Sequence, residues 1–210
     1  MAGQIGVFDE IREAAHGQEL SMRWYQQKVQ ELLPKPNVRR MIREGYRESK
    51  VTIRPNFGMM NLFWYRPKGA EKLPYYDVFP LVIPLGRRKP DGFVCINFHY
   101  LSVPMRWQLL ERLQMFQEPS ELEGYDSDEG QDEVMALFWP KIKMKRGVRP
   151  IVRRYSKDQI KSYFLKIELS EMLIAVSLPL EKFYTGKWQG KKRYRAERVF
   201  RQTRKEMMQR

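Results

Sequence analysis

The chain has 210 residues, 42% hydrophobic and 30% charged, and its 39 Lys and Arg against 25 Asp and Glu leave a formal net charge of +14. That is enough apolar material for one sizeable domain, and the cation excess points to an acidic partner: nucleic acid, an anionic membrane or an acidic protein surface. A single cysteine, Cys95, excludes a disulfide framework and a cysteine-built zinc site, and no run approaches the ~18 apolar residues of a membrane span.

Residues 1–20 are weakly patterned and carry Asp9, Glu10, Arg12 and Glu13 where a secretory signal would be apolar; they are expected to form an arm with one or two helical turns. Reduced Cys95 and the missing signal fit assembly in a cytoplasm. Ser21 then precedes a stretch in which Met22, Tyr25, Val29, Leu32 and Leu33 recur at helical spacing. This predicts a helix over 22–33 with Ser21 as its N-cap, stopped by the prolines at 34 and 36. Asn37 is placed to cap a second, short helix that runs to the neighbourhood of Gly45.

Strand-like sequence follows, at 59–66, 78–85 and 93–101. The last two runs, joined by "GRRKPDG", have the signature of a hairpin. Pro74, Pro80 and Pro84 interrupt the most hydrophobic of them, so "VFPLVIPL" is expected at a sheet edge or as an extended segment rather than as a central strand. Ser102 and Pro104 open a predicted helix over 104–116, with Trp107, Leu110, Leu113 and Phe116 on its inner side. Residues 118–133 hold eight carboxylates and no cation, the composition of an exposed loop. Beyond them Ile160, Tyr163, Phe164 and Ile167 predict a helix over 157–168, and "EMLIAVSLP" predicts a strand over 171–178. The expected fold is α+β: a small antiparallel sheet covered by helices in one domain over 21–185, with an N-terminal arm over 1–20 and a basic tail over 186–210.

Catalytic motifs are lacking. His16 and His99 stand far apart, there is no Walker A loop, nucleophile elbow or zinc-protease helix, and Asp77 in its proline-rich turn suits local backbone bonding. His99 suits a satisfied structural role. The acidic loop lacks the order of a calcium loop, so no catalytic residue, metal ligand, cofactor or small-molecule substrate is assigned.

What stands out is cations interleaved with aromatics. The middle block supplies Lys141, Lys143, Lys145, Arg146, Arg149, Arg153 and Arg154, bracketed by Trp139 and Tyr155. The tail supplies Lys187, Trp188, Lys191, Lys192, Arg193, Arg195, Arg198, Arg201 and Arg204, with Tyr194 and Phe200 among them. Cations neutralise phosphates and planar rings stack on bases, so these residues are the expected nucleic-acid or partner contacts. Two other roles stay open: the acidic loop folds against the middle block, or Tyr194, Val199 and Met207 pack the tail on its own body or a neighbour.

The order L-P-Y-Y-D-x-F-P-L, then G-F-x-x-x-N-x-H-Y-L, then a helix, over residues 63–113, resembles proteins of T4-like tailed bacteriophages, among them the DNA end protector (head completion) family. The resemblance covers about a quarter of the chain. It implies a virion or assembly protein, not an enzyme, that binds terminal double-stranded DNA, blocks nucleases and meets other virion proteins. The alternatives are a neck, tail or baseplate subunit whose basic arms dock on acidic neighbours, and a nuclease, which would need a metal-binding carboxylate cluster.

Overall fold

The computed structural model describes residues 7–16, 20–32, 36–56, 59–89, 91–114, 148–185 and 193–209. Apolar strands pair into a six-stranded antiparallel sheet: β1 (Val51–Thr52), β7 (Phe164–Ile167), β2 (Met60–Leu62), β4 (Leu81–Lys89), β5 (Gly92–Asn97) and β6 (Val152–Ser156), in that spatial order. A second sheet is built from three two-residue strands, β3 (Tyr76–Asp77), β8 (Phe183–Tyr184) and β9 (Arg193–Tyr194). Around them lie α1 (Val7–Ala15), α2 (Met22–Leu32), α3 (Val38–Arg47), α4 (Val103–Gln114), α5 (Met172–Ser177) and α6 (Ala196–Met208), so the fold is α+β.

Local signals worked where side chains close local bonds. The Ser21 hydroxyl accepts from the Trp24 N–H at 3.3 Å, and the Asn37 side chain accepts from Arg39 and Arg40 N–H at 3.1 and 3.2 Å, so both N-caps form. The hairpin β4–β5 also forms, with Ile83 opposite Ile96 and Pro84 opposite Cys95.

The proline-rich run is nevertheless a central strand, not an edge. β4 pairs with β2 only at Leu81 and Val82; Pro80 lies just before the strand, and Pro84 lies past the end of that ladder. The missing proline N–H groups therefore fall where no second neighbour asks for them. Leu81, Val82, Ile83 and Leu85 are all buried.

Three other expectations are overturned. Residues 157–168 are not a helix: a 3-10 turn at Lys157–Gln159 leads into β7, which runs between β1 and β2. Consecutive Phe164 and Leu165 are both buried, so both faces of β7 are covered, and a short apolar run in that setting carries no usable period. Residues 171–178 are not a strand: α5 buries Met172, Ile174, Ala175, Val176 and Ser177, and a helix apolar all round looks like a strand in sequence. On α4, by contrast, Leu110 is buried and Trp107 and Leu113 pack partly buried against the core as expected, but the fully buried Arg106 shares that inner side; Phe116 lies outside the described residues. The run at 93–101 also stops early, because the Asn97 side chain accepts from the His99 N–H at 2.9 Å and turns the chain into a 3-10 segment, Phe98–Tyr100.

The core centres on Phe63. Its ring meets those of Phe164, Tyr155, Phe93 and Tyr65 at 4.8, 5.4, 5.9 and 6.4 Å. At Gly92, a Cβ would lie 2.1 Å from the backbone oxygen of Tyr155, so only glycine lets β5 enter against β6. Both terminal segments contribute to this body: α1 buries Phe8 and Ile11, and α6 buries Val199 and Thr203.

Candidate functional site

Asp77, on β3, is 2% exposed and accepts three hydrogen bonds. Its Oδ1 takes the Phe79 N–H at 3.1 Å, the local turn bond expected of it. Its Oδ2 takes Asn97 Nδ2 and His99 Nδ1, each at 3.0 Å. A carboxylate has no proton to give, so Nδ1 of His99 is the donor. Asn97 Nδ2 also donates to the Tyr155 hydroxyl at 2.8 Å. His99 is thus held in the core through Nδ1, while among the described residues its buried Nε2 has no partner, so the expected satisfied role is met at one nitrogen only; the D and N-x-H of the quoted motif form one network that ties the small sheet to the large one.

Beside this network opens a cleft of about 460 Å³. Tyr65, Tyr75, Tyr76, Tyr100 and Tyr155 line it. The Tyr65 and Tyr155 rings meet edge-on at 4.7 Å, while Tyr75 stacks on Tyr194 at 5.0 Å. Arg153, with its guanidinium 4.2 Å from the Tyr100 ring centre, and Arg154 add positive charge. Gln202 and Glu206 of α6 close the remaining side.

Burial holds the phenols protonated. It raises Tyr65, Tyr75 and Tyr76 above the ordinary range, lifts Tyr155 well above it, and pushes Tyr100 up to about 12 against the pull of Arg153. Burial works against the charge on Arg153, but its contacts with Tyr100 outweigh it, and the group sits above its usual value. At neutral pH the cleft presents neutral hydroxyls and a firmly charged guanidinium. Tyrosines in the unfolded chain ionise near ~10. The folded phenols resist ionisation, so their stabilising contribution is intact below that pH and is expected to fall away as pH rises from there through about 12. Alkaline titration followed by phenolate absorbance and circular dichroism should show a late set of tyrosines that ionises together with unfolding.

Of the expected contacts in the middle block, Arg149, Arg153 and Arg154 are described. Arg149 is exposed on a turn that packs against α6, and Arg154 pairs with Asp91. In the tail, Arg193, Arg195, Arg198, Arg201 and Arg204 are all exposed. Arg198 lies over Tyr194 at 5.2 Å, and among the described residues none of these five pairs with a carboxylate. Lys141, Lys143, Lys145, Arg146, Lys187, Trp188, Lys191 and Lys192 lie outside the described residues, as does the acidic loop 118–133.

Docking of α6 brings the two basic segments together. Its buried side carries Val199 and Thr203; Arg198, Arg201 and Lys205, three and four residues apart, form a stripe on the side facing away. Gln202 and Glu206 fall between the two sides, at the cleft. The helix is further tied to Arg106, a fully buried cation whose Nε donates to the Leu101 carbonyl at 2.9 Å and whose Nη2 faces Glu181 at 3.0 Å. The Arg106 guanidinium lies 5.7 Å from the ring centre of Phe200 on α6.

Sequence reasoning missed Lys205 and the tyrosine walls. The helical spacing of Lys205 to Arg198 and Arg201 was available, as was the "PYYD" pair; the convergence of residues 65, 75, 100 and 155 was not. Among the described residues no group of three or more His, Cys, Asp or Glu could hold a metal ion, and no helix is long and apolar enough to cross a membrane. A family model described as phage T4 terminal DNA protecting protein matches residues 11–203. No curated protein and no solved structure matches the chain.

Proposed function

The chain belongs to the family of the phage T4 terminal DNA protecting protein, and on that premise we propose that it binds the ends of double-stranded DNA in the virion and shields them by occupying them. Protection of this kind needs no turnover: a bound protein excludes an exonuclease sterically. The observation that carries the reading is the packing of the last helix, with its exposed Arg198, Arg201 and Lys205 stripe, against the turn that carries Arg149, next to the cleft that Arg153 and Arg154 line. Among the described residues Arg149, Arg198, Arg201 and Lys205 are exposed and without carboxylate partners, which suits phosphate contact, and such contacts carry affinity without base preference. The segments at 141–146 and 187–192 add cations to the same two stretches of chain.

The test is competition. A short end-labelled duplex is bound by the full-length protein, then challenged with equal masses of linear and covalently closed circular DNA. Linear DNA is expected to displace the label at least ~10-fold more effectively, and binding is expected to weaken steeply with salt. Equal competition overturns the end-binding reading. Absence of salt-dependent binding would instead assign the basic residues to docking on acidic virion proteins.

A further inference from the structure

We propose that the tyrosine-walled cleft receives the terminal nucleotide of the DNA, its base among the rings and its phosphate on the Arg153 and Arg154 side. The inference rests on the end-binding reading and adds a site to it. At about 460 Å³ the cleft falls within the ~300–1,000 Å³ of small-molecule sites. Its walls match the two halves of a nucleotide. Every base has a π-face, so stacking on tyrosine tolerates any sequence. Arg153 and Arg154 supply the charge that a phosphate requires.

The two carboxylates of the cleft set the orientation. Asp77 is buried and saturated by three donors. Glu206 stands on the α6 side, where it repels phosphate and accepts from the exocyclic amino group of adenine, cytosine or guanine. Phosphate is thereby directed to the β6 side, towards the two arginines. The cleft also explains how a protein could tell an end from a middle. A base inside a duplex has two stacking neighbours and must be flipped out at a cost of a few kcal/mol. A terminal base has one neighbour, frays readily, and brings a chain end that needs no exit path from the cleft.

The experiment uses the full-length protein and duplexes carrying 2-aminopurine at either the terminal or a central position. Terminal 2-aminopurine is expected to change its fluorescence on binding, and the central probe to stay unchanged. Gln202→Trp places a large ring at the mouth from an exposed helix position. It is expected to abolish the terminal signal and cut the preference for linear over circular DNA about tenfold, the order of one lost base–aromatic stack. Should wild-type protein prefer ends while the terminal probe stays silent, or should the variant keep both signal and preference, the cleft is not the receptor and end binding stands without it. Equal binding of linear and circular DNA by wild-type protein would remove the end-binding reading itself. The comparison of terminal and central probes needs no variant, so it decides the matter even if Gln202→Trp folds poorly.

Discussion

Asp77→Ala is expected to destabilise the fold by about 3–5 kcal/mol, because three buried donors are left unsatisfied at ~1–3 kcal/mol each. Three donors lose their acceptor at once: the Phe79 N–H, Asn97 Nδ2 and His99 Nδ1. Each is buried where water does not replace the lost bond, and an unsatisfied buried donor costs ~1–3 kcal/mol. Against a typical total of ~5–15 kcal/mol, this is a large fraction. Asp77→Asn is expected to cost less. It keeps one acceptor oxygen, so at least one of the three buried donors stays paired. Urea unfolding of the three proteins, compared at equal m-value, checks the order wild type, Asn, Ala. An alanine variant within about 0.5 kcal/mol of wild type, the range of ordinary surface substitutions, would mean that the network does not brace the two sheets.

Neutralising the stripe on α6 should have the largest effect on binding. In Arg198→Gln/Arg201→Gln/Lys205→Gln three exposed cations are removed, while Val199 and Thr203 still hold the helix in place. If each cation meets one phosphate, the slope of log affinity against log salt falls by up to ~0.9 for each of the three. At moderate salt the loss of affinity is expected to be on the order of 10²-fold. Fold stability should change little, because surface substitutions stay within about ±0.5 kcal/mol. An unchanged salt slope would remove these three residues from the interface. Point variants are preferable here to truncation at Thr185, which would also remove the buried Val199 and Thr203 and the Phe200 ring beside Arg106, and so uncover the body beneath them.

The sequence was legible wherever one residue and its near neighbours settle the outcome. Ser21 and Asn37 cap helices because their oxygens reach N–H groups two or three residues on. Asp77 bonds its own turn for the same reason. The hairpin from 81 to 97 follows from two apolar runs and the polar link between them. Legibility failed where apolar residues are buried on every side. The strand at Phe164–Ile167 and the helix at Met172–Ser177 have no polar face, so no period marks them. Arg106 misled for the opposite reason. A cation implies solvent, yet carbonyls at the ends of other elements and Glu181 were waiting for it.

By itself, the sequence determined that this is an α+β chain of strong positive charge with two cation-rich stretches, and its motif at 63–113 pointed to the end-protector family. Composition and short-range hydrogen bonding suffice for such statements. Only the tertiary structure decided that Asp77, Asn97, His99 and Tyr155 form one network, that the prolines of β4 fall where a central strand can spare its N–H groups, and that Arg153 and the last helix share a cleft. Those facts depend on pairings between residues up to 58 positions apart. Their energies come from mutual burial, and no local pattern encodes which distant partner completes it.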